Sequence, residues 1–156
     1  MKKTNAARIL DTLKIKYEIK EYAVDINDLS AVHVASQVGM PVEKIFKTLV
    51  VRGDKNGVLM ACIPGGGELD LKTLAAVSGN KKVEMVHLKE VQGLTGYIRG
   101  GCSPIGAKKE YPVFLDESAN KWDIIAISAG VRGAQFLLTP VDLIRVVHAK
   151  VHAISR

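Results

Sequence analysis

Phe46-Lys47-Thr48-Leu49-Val50-Val51-Arg52 is followed by Gly53-Asp54-Lys55-Asn56-Gly57 and then Val58-Leu59-Met60-Ala61-Cys62-Ile63. The outer two runs are rich in β-branched and aromatic residues, which suit a pleated, half-buried surface. The middle run is turn chemistry with Asn-Gly inside it. Strand, turn and strand together predict a β-hairpin. Pro64-Gly65-Gly66-Gly67 then breaks the chain.

Moving outward, Asp70 can cap a helix through Leu71, Leu74, Ala75 and Val77 that stops at Gly79. Before the hairpin, Ala6, Ile9, Leu10 and Leu13 recur at helical spacing, so residues 4–14 read as an amphipathic helix capped by Thr4 or Asn5. Tyr17, Ile19 and Tyr22 suggest a short strand. A second helix runs from Ser30 to Val38 and ends at Gly39, with Pro41 beyond. After the hairpin the pattern is finer. Val83–Val86 reads as a strand and His87–Gln92 as a short helix. Val113–Leu115, Ile124–Ser128 and Phe136–Leu138 read as strands. Thr139-Pro140 is an N-cap with proline at the first helical position, opening a helix to about Val147. Strands and helices mix without a strict βαβ period. The expectation is an α+β fold, a single mixed β-sheet with surrounding helices.

The 156 residues suffice for one domain with a proper core. No repeat or linker divides them, so residues 1–156 are read as one domain. Apolar residues make up 47% and charged residues 24%, which excludes a disordered chain. Lys and Arg number 22 against 16 Asp and Glu, a net +6 that favours anionic partners. Charges interrupt every apolar run well short of the roughly 18 residues a membrane span needs. The start, Met-Lys-Lys-Thr-Asn-Ala-Ala-Arg, resembles a signal peptide, but Arg8, Asp11 and Lys14 deny it an apolar stretch. Cys62 and Cys102 form no disulfide framework. The expectation is a cytoplasmic protein without membrane contact.

Several catalytic motifs are missing. Gly101–Lys108 nearly fits a phosphate-binding loop, but Ala107 stands where that motif needs lysine. His148 and His152 would share a helix face, yet no third metal ligand lies nearby, so no metal or cofactor is expected. Cys102 sits in a glycine loop without histidine spacing to support a nucleophile. Lys47 interrupts a run of strand residues. It is read either as the solvent side of an edge strand or as an ammonium held to meet a phosphate or carboxylate. Gly100-Gly101 and Ser128-Ala129-Gly130-Val131-Arg132-Gly133 are tight turns, or loops whose amides stabilise charge on a carbonyl oxygen. Lys81-Lys82 and Lys108-Lys109 are surface, or a track for a phosphate backbone.

In order and spacing, Phe46–Val51, Asp70-Leu71-Lys72, Lys81–Met85, Gly100–Gly106 with Lys108-Lys109, and Ile127–Gly133 resemble the bacterial YbaK/EbsC family. These are free-standing relatives of the editing domain inserted in bacterial prolyl-tRNA synthetases. The resemblance spans about Ala6 to Ile154. It implies trans-editing: hydrolysis of the ester between a wrong amino acid and tRNA, above all cysteine on tRNA for proline. A proline pocket cannot strongly exclude a residue of similar size, and a second site removes the error.

The resemblance also implies roles. Lys47 matches a lysine that holds the terminal adenosine and phosphate of the acceptor end. Tyr22 matches a functional tyrosine, Gly100 and Gly101 the loop whose amides face the scissile carbonyl, and Ser128 a serine beside the pocket. Ser103, Pro104, Gly130, Arg132 and Gln135 are expected to line the substrate site. Some relatives carry Asp where Gln135 stands, and often Ile where Cys102 stands. The family's cysteine-specific members use the substrate's own thiol, with no cofactor. Aminoacyl-tRNA is the expected partner, together with a transient complex with prolyl-tRNA synthetase. Rival readings are editing of another small amino acid such as alanine, a non-catalytic tRNA- or synthetase-binding module, and a cysteine-dependent hydrolase.

Overall fold

A computed structural model describes residues 3–156, so Met1 and Lys2 of the leader-like start lie outside it. Helix α1 (Asn5–Thr12) is capped by Thr4, whose hydroxyl oxygen accepts from the Ala7 N–H at 3.1 Å. The same hydroxyl donates to the Ala129 carbonyl at 2.7 Å, which ties the start of the chain to the second glycine loop. Strand β1 (Glu18–Glu21) and helix α2 (Ala31–Val38) follow, with Ser30 as N-cap and Gly39 as C-cap. The hairpin is β2 (Ile45–Gly53) and β3 (Gly57–Pro64). Then come α3 (Leu71–Ser78), β4 (Val83–Met85), α4 (Leu88–Thr95), β5 (Val113–Asp116) and β6 (Ile125–Ser128). The chain closes with β7 (Ala134–Leu138), α5 (Pro140–Val147) and β8 (Lys150–His152).

The strands build one mixed sheet in the order β1-β7-β6-β2-β3-β5-β8, with β4 also paired to β2. The hairpin register runs from Phe46↔Pro64 to Gly53↔Gly57. Its turn is held by Asn80, whose Oδ1 accepts from the amides of Lys55 and Asn56 at 2.9 and 3.0 Å. Side chains alternate across the sheet. Phe46 joins Met60, Ile127 and Phe136 under α1 and α5, whereas Val51 joins Leu59, Ile63 and Leu74 under α3, and Ile45 packs with α2. No helix among the described residues is long and apolar enough to cross a membrane.

The fold refines one reading and corrects another. Strand β2 sits mid-sheet between β3 and β6, but its pairing with β6 stops at Phe46, so Lys47 stands at a local edge. His148 and His152 do not share a helix face. His148 is the left-handed C-cap of α5, and His152 lies on β8.

Strand β2 is unevenly paired along its length. On its β6 side the pairing ends at Phe46↔Ile127 and resumes, with β4, only at Val51↔Met85. Between them the sheet is open. The Val50 carbonyl accepts from the Val86 N–H on that side. Strand alternation therefore turns the Thr48 amide and carbonyl toward the same opening, without a strand partner.

Asp116 anchors the end of the chain. Its carboxylate, 3% exposed, accepts from the amides of Ile154 and Ser155 at 3.0 Å each, and from the Ser118 amide and hydroxyl. Burial works against the charge, but these donors prevail and hold the carboxyl below its ordinary 3.8. Asp116→Ala removes charge-assisted bonds and strands buried amides, so a loss of about 3 kcal/mol is expected, or roughly 6–12 °C in Tm. The contribution of Asp116 is present above pH about 4, where the unfolded carboxyl is ionised, and is lost as pH falls through the lower folded value. Thermal melts of both proteins from pH 7 to pH 3 check this: the gap should narrow as the pH drops.

Candidate functional site

Two cavities among the described residues bear on the expected site. The larger, of about 520 Å³, lies between α1, the segment 104–113 and the end of α5. It contains none of Lys47, Gly100 or Ser128. The second, of about 400 Å³, opens where β2 parts from β6 and β4, and it brings Lys47, Gly100, Ser128 and Gln135 together. Strand β2 supplies its floor, the start of α2 one wall, and Val86, Leu88 and Val91 the other.

Lys47 is half-buried in this pocket. Its ammonium donates to the Gly65 carbonyl at 3.2 Å. Among the described residues no carboxylate lies within 4.0 Å of it. No residue lining the pocket is acidic. The Lys47 ammonium thus lies in a cavity without a counter-ion. Arg99, which the sequence reading did not single out, lines the same pocket. The Arg132 Nε donates to the Arg99 carbonyl at 2.7 Å and lies beside Gly100. Lys47 and Arg99 are the cations of the lining, while Arg132, expected at the substrate site, does not line the pocket itself.

The two glycine loops pack against each other. A Cβ on Gly101 would meet the Val131 and Arg132 backbone at 3.1 Å, so a larger residue would push the two loops apart by a few tenths of an ångström. Ser128 rivets them. Its hydroxyl donates to the Gly101 carbonyl at 3.0 Å and accepts from the Gly130 N–H at 3.1 Å. Ser128 is thus a positioning residue with its donor already committed. The Gly101 N–H is also used, donating to the Ile98 carbonyl at 2.9 Å. The Gly100 N–H has no acceptor among the described residues, and Gly100 lines the pocket. Of the two amides, that of Gly101 is committed within the loop and that of Gly100 is not.

Other expected residues stand apart. The Ser103 hydroxyl is fully buried and accepts from the Ile105 N–H, a local turn that directs the side chain inward. Pro104 lines the larger cavity instead. Gly130 has φ +94°, and a Cβ there would press on the Tyr97 ring at 3.0 Å, so it serves loop packing. Tyr22 packs against the α2 core with Val34 and Ile45, both of which also line the pocket, but Tyr22 itself does not. Gln135, paired to Ser128 across β6 and β7, is 5% exposed, and its Oε1 is buried without a hydrogen-bond partner.

Cys102 lines the pocket, and burial pushes its thiol up to about 11. The thiolate fraction near neutral pH is then about one in ten thousand, which disfavours a protein nucleophile. Cys62 is buried, its thiol pushed up to about 12. Among the described residues no group of three His, Cys, Asp or Glu side chains is placed to hold a metal.

Residues 28–146 match the model of the aminoacyl-tRNA editing domain. EbsC of Enterococcus faecalis, named as a candidate Cys-tRNA(Pro)/Cys-tRNA(Cys) deacylase, is 53% identical over 138 residues, 88% of this chain and 84% of that protein. The proline–tRNA ligase of Thermosipho africanus is 36% identical over 76 residues, 49% of this chain but 13% of the ligase. A solved structure described as a candidate trans-editing enzyme for prolyl-tRNA synthetase superposes with a TM-score of 0.83 at 27% identity, covering 99% of both chains.

Proposed function

Because the chain belongs to the aminoacyl-tRNA editing domain family, we propose that it is a deacylase that clears mischarged tRNA in trans, with cysteine on tRNA(Pro) as its substrate. The observation that carries this reading is the Lys47 ammonium, held in a cavity free of carboxylates beside a glycine loop. Lys47, with Arg99 and Arg132 at the rim, receives the phosphates of the acceptor end. The aminoacyl ester then lies across the opening in the sheet.

The nucleophile is the substrate's own thiol. Its sulfur attacks the neighbouring ester carbonyl, giving a tetrahedral centre whose oxyanion faces the Gly100 N–H. Collapse breaks the bond between the carbonyl carbon and the ribose oxygen. The thiol proton ends on that oxygen, the tRNA leaves with a free hydroxyl, and the amino acid leaves as a cyclic thiolactone that water opens. An internal nucleophile is worth roughly 7–11 kcal/mol when well aligned. The protein has only to orient the ester and stabilise the charge. Such a site needs no activated cysteine of its own, in keeping with the high thiol value at Cys102.

The pocket reads the end of the acceptor strand, and a complex with prolyl-tRNA synthetase in the cytoplasm supplies tRNA selectivity. The test is deacylation of Cys-, Ala- and Pro-tRNA(Pro) side by side at catalytic enzyme concentration. Release from Cys-tRNA alone supports the proposal. Equal release from Ala-tRNA moves the nucleophile to water and the specificity to alanine. No release from any of them overturns the deacylase reading and leaves a binding module.

A further inference from the structure

The Gln135 Oε1 is buried without a hydrogen-bond partner among the described residues. The residue is 95% buried, lines the pocket and is locked between β1 and β6, opposite Lys20 and Ser128. Buried side-chain acceptors without a partner are uncommon, and each needs an account. The hydroxyls among the lining side chains each have a protein partner already, and the Thr48 carbonyl that faces the opening belongs to the backbone. The Ser30 hydroxyl takes the His33 N–H, the Ser128 hydroxyl takes the Gly130 N–H, and the Thr48 hydroxyl lies against the Cys62 sulfur. An aminoacyl ester carries one strong nitrogen donor, its α-amino group. This pocket offers that group no carboxylate and several cations.

We infer that Gln135 is the recognition group for the substrate's α-amine, accepting its N–H through Oε1. The inference rests on the deacylase reading and deepens it. The chemistry fits a neutral acceptor. Neighbouring Lys47 and Arg99 disfavour a second positive charge, so the amine binds as readily uncharged as charged, and an amide carbonyl accepts from either form. A carboxylate at this position would instead favour the ammonium. The terminal torsion of glutamine is broad, so the amide turns onto a ligand without leaving its rotamer.

The experiment uses a hydrolysis-resistant mimic, 3′-cysteinylamido-adenosine, and its counterpart lacking the α-amine. Both are titrated calorimetrically into the full-length protein and its Gln135→Met variant. Wild type should bind the amine-bearing mimic about ten- to a hundredfold more tightly than the other. Gln135→Met should erase that difference while leaving the Kd of the amine-free mimic within about twofold. Because the substitution removes a buried orphan acceptor and keeps the volume, Tm should hold or rise. Gln135→Glu should restore the preference for the amine and make it fall as pH rises through about 8, where an α-amine loses its proton. An unchanged preference in Gln135→Met overturns the inference. Equal weakening for both mimics does the same, since it assigns Gln135 to the ribose or base. Should wild type bind the mimics in this pattern yet deacylate nothing, the deacylase reading falls and the amine assignment stands.

Discussion

Lys47→Ala is expected to lower kcat/KM for Cys-tRNA(Pro) by about a hundredfold, with Tm unchanged within about 2 °C. A hundredfold corresponds to about 2.7 kcal/mol, within the range of a charge-assisted bond to phosphate lost from a partly desolvated site. The ammonium gives the fold one bond, to the Gly65 carbonyl, and no ion pair among the described residues. Its removal therefore leaves the protein nearly as stable and the ligand without its cation. Lys47→Arg should recover only part of the activity, because a planar fork does not reproduce a point charge on this strand. Steady-state kinetics and a thermal melt on the same preparations decide it. If Lys47 merely tied β2 to the loop at Gly65, Tm would fall and activity would decline only in proportion.

Replacing the substrate thiol should have a still larger effect. Ser-tRNA(Pro) and Ala-tRNA(Pro) are expected to be deacylated at least a thousandfold more slowly than Cys-tRNA(Pro), since each lacks the internal sulfur nucleophile and its effective molarity. Cys102→Ala, by contrast, should keep kcat/KM within about threefold. The Cys102 thiol is pushed up to about 11 by burial and is not poised to react. Single-turnover rates on the three charged tRNAs, with both proteins, separate the possibilities. Loss of activity in Cys102→Ala would return the chemistry to the protein, and fast release of alanine would return it to water.

The parts of this molecule legible in its sequence are those written in local chemistry. The hairpin register from Phe46 to Pro64, the caps at Thr4, Ser30, Asp70 and Thr139, and the glycine stops at Gly39 and Gly79 each depend on residues close along the chain. What was misread depends on distant partners. The mid-sheet place of β2 rests on β6, which lies some eighty residues away, pairs in parallel and stops at Phe46, one residue short of Lys47. Strand β8 carries little apolar signal beyond Val151 and exists because Leu115 pairs with it. Arg99 gave no pattern to follow. The Gly101 amide is free in the sequence reading and bonded to the Ile98 carbonyl in the fold. The Gln135 orphan is invisible in one dimension, since having no partner is a property of the packed state.

The opening in the sheet has a consequence for how the pocket can be watched. Amides at the centre of a buried strand ordinarily exchange their hydrogens only when the molecule opens. The Thr48 amide faces the pocket, while the Val50 carbonyl across the same gap is already taken by Val86. This places an N–H without a strand partner inside a stretch whose neighbours, Lys47 and Leu49, are paired to β3. Its exchange rate is set by what fills the cavity rather than by unfolding, so the backbone carries its own gauge of occupancy, readable without a label.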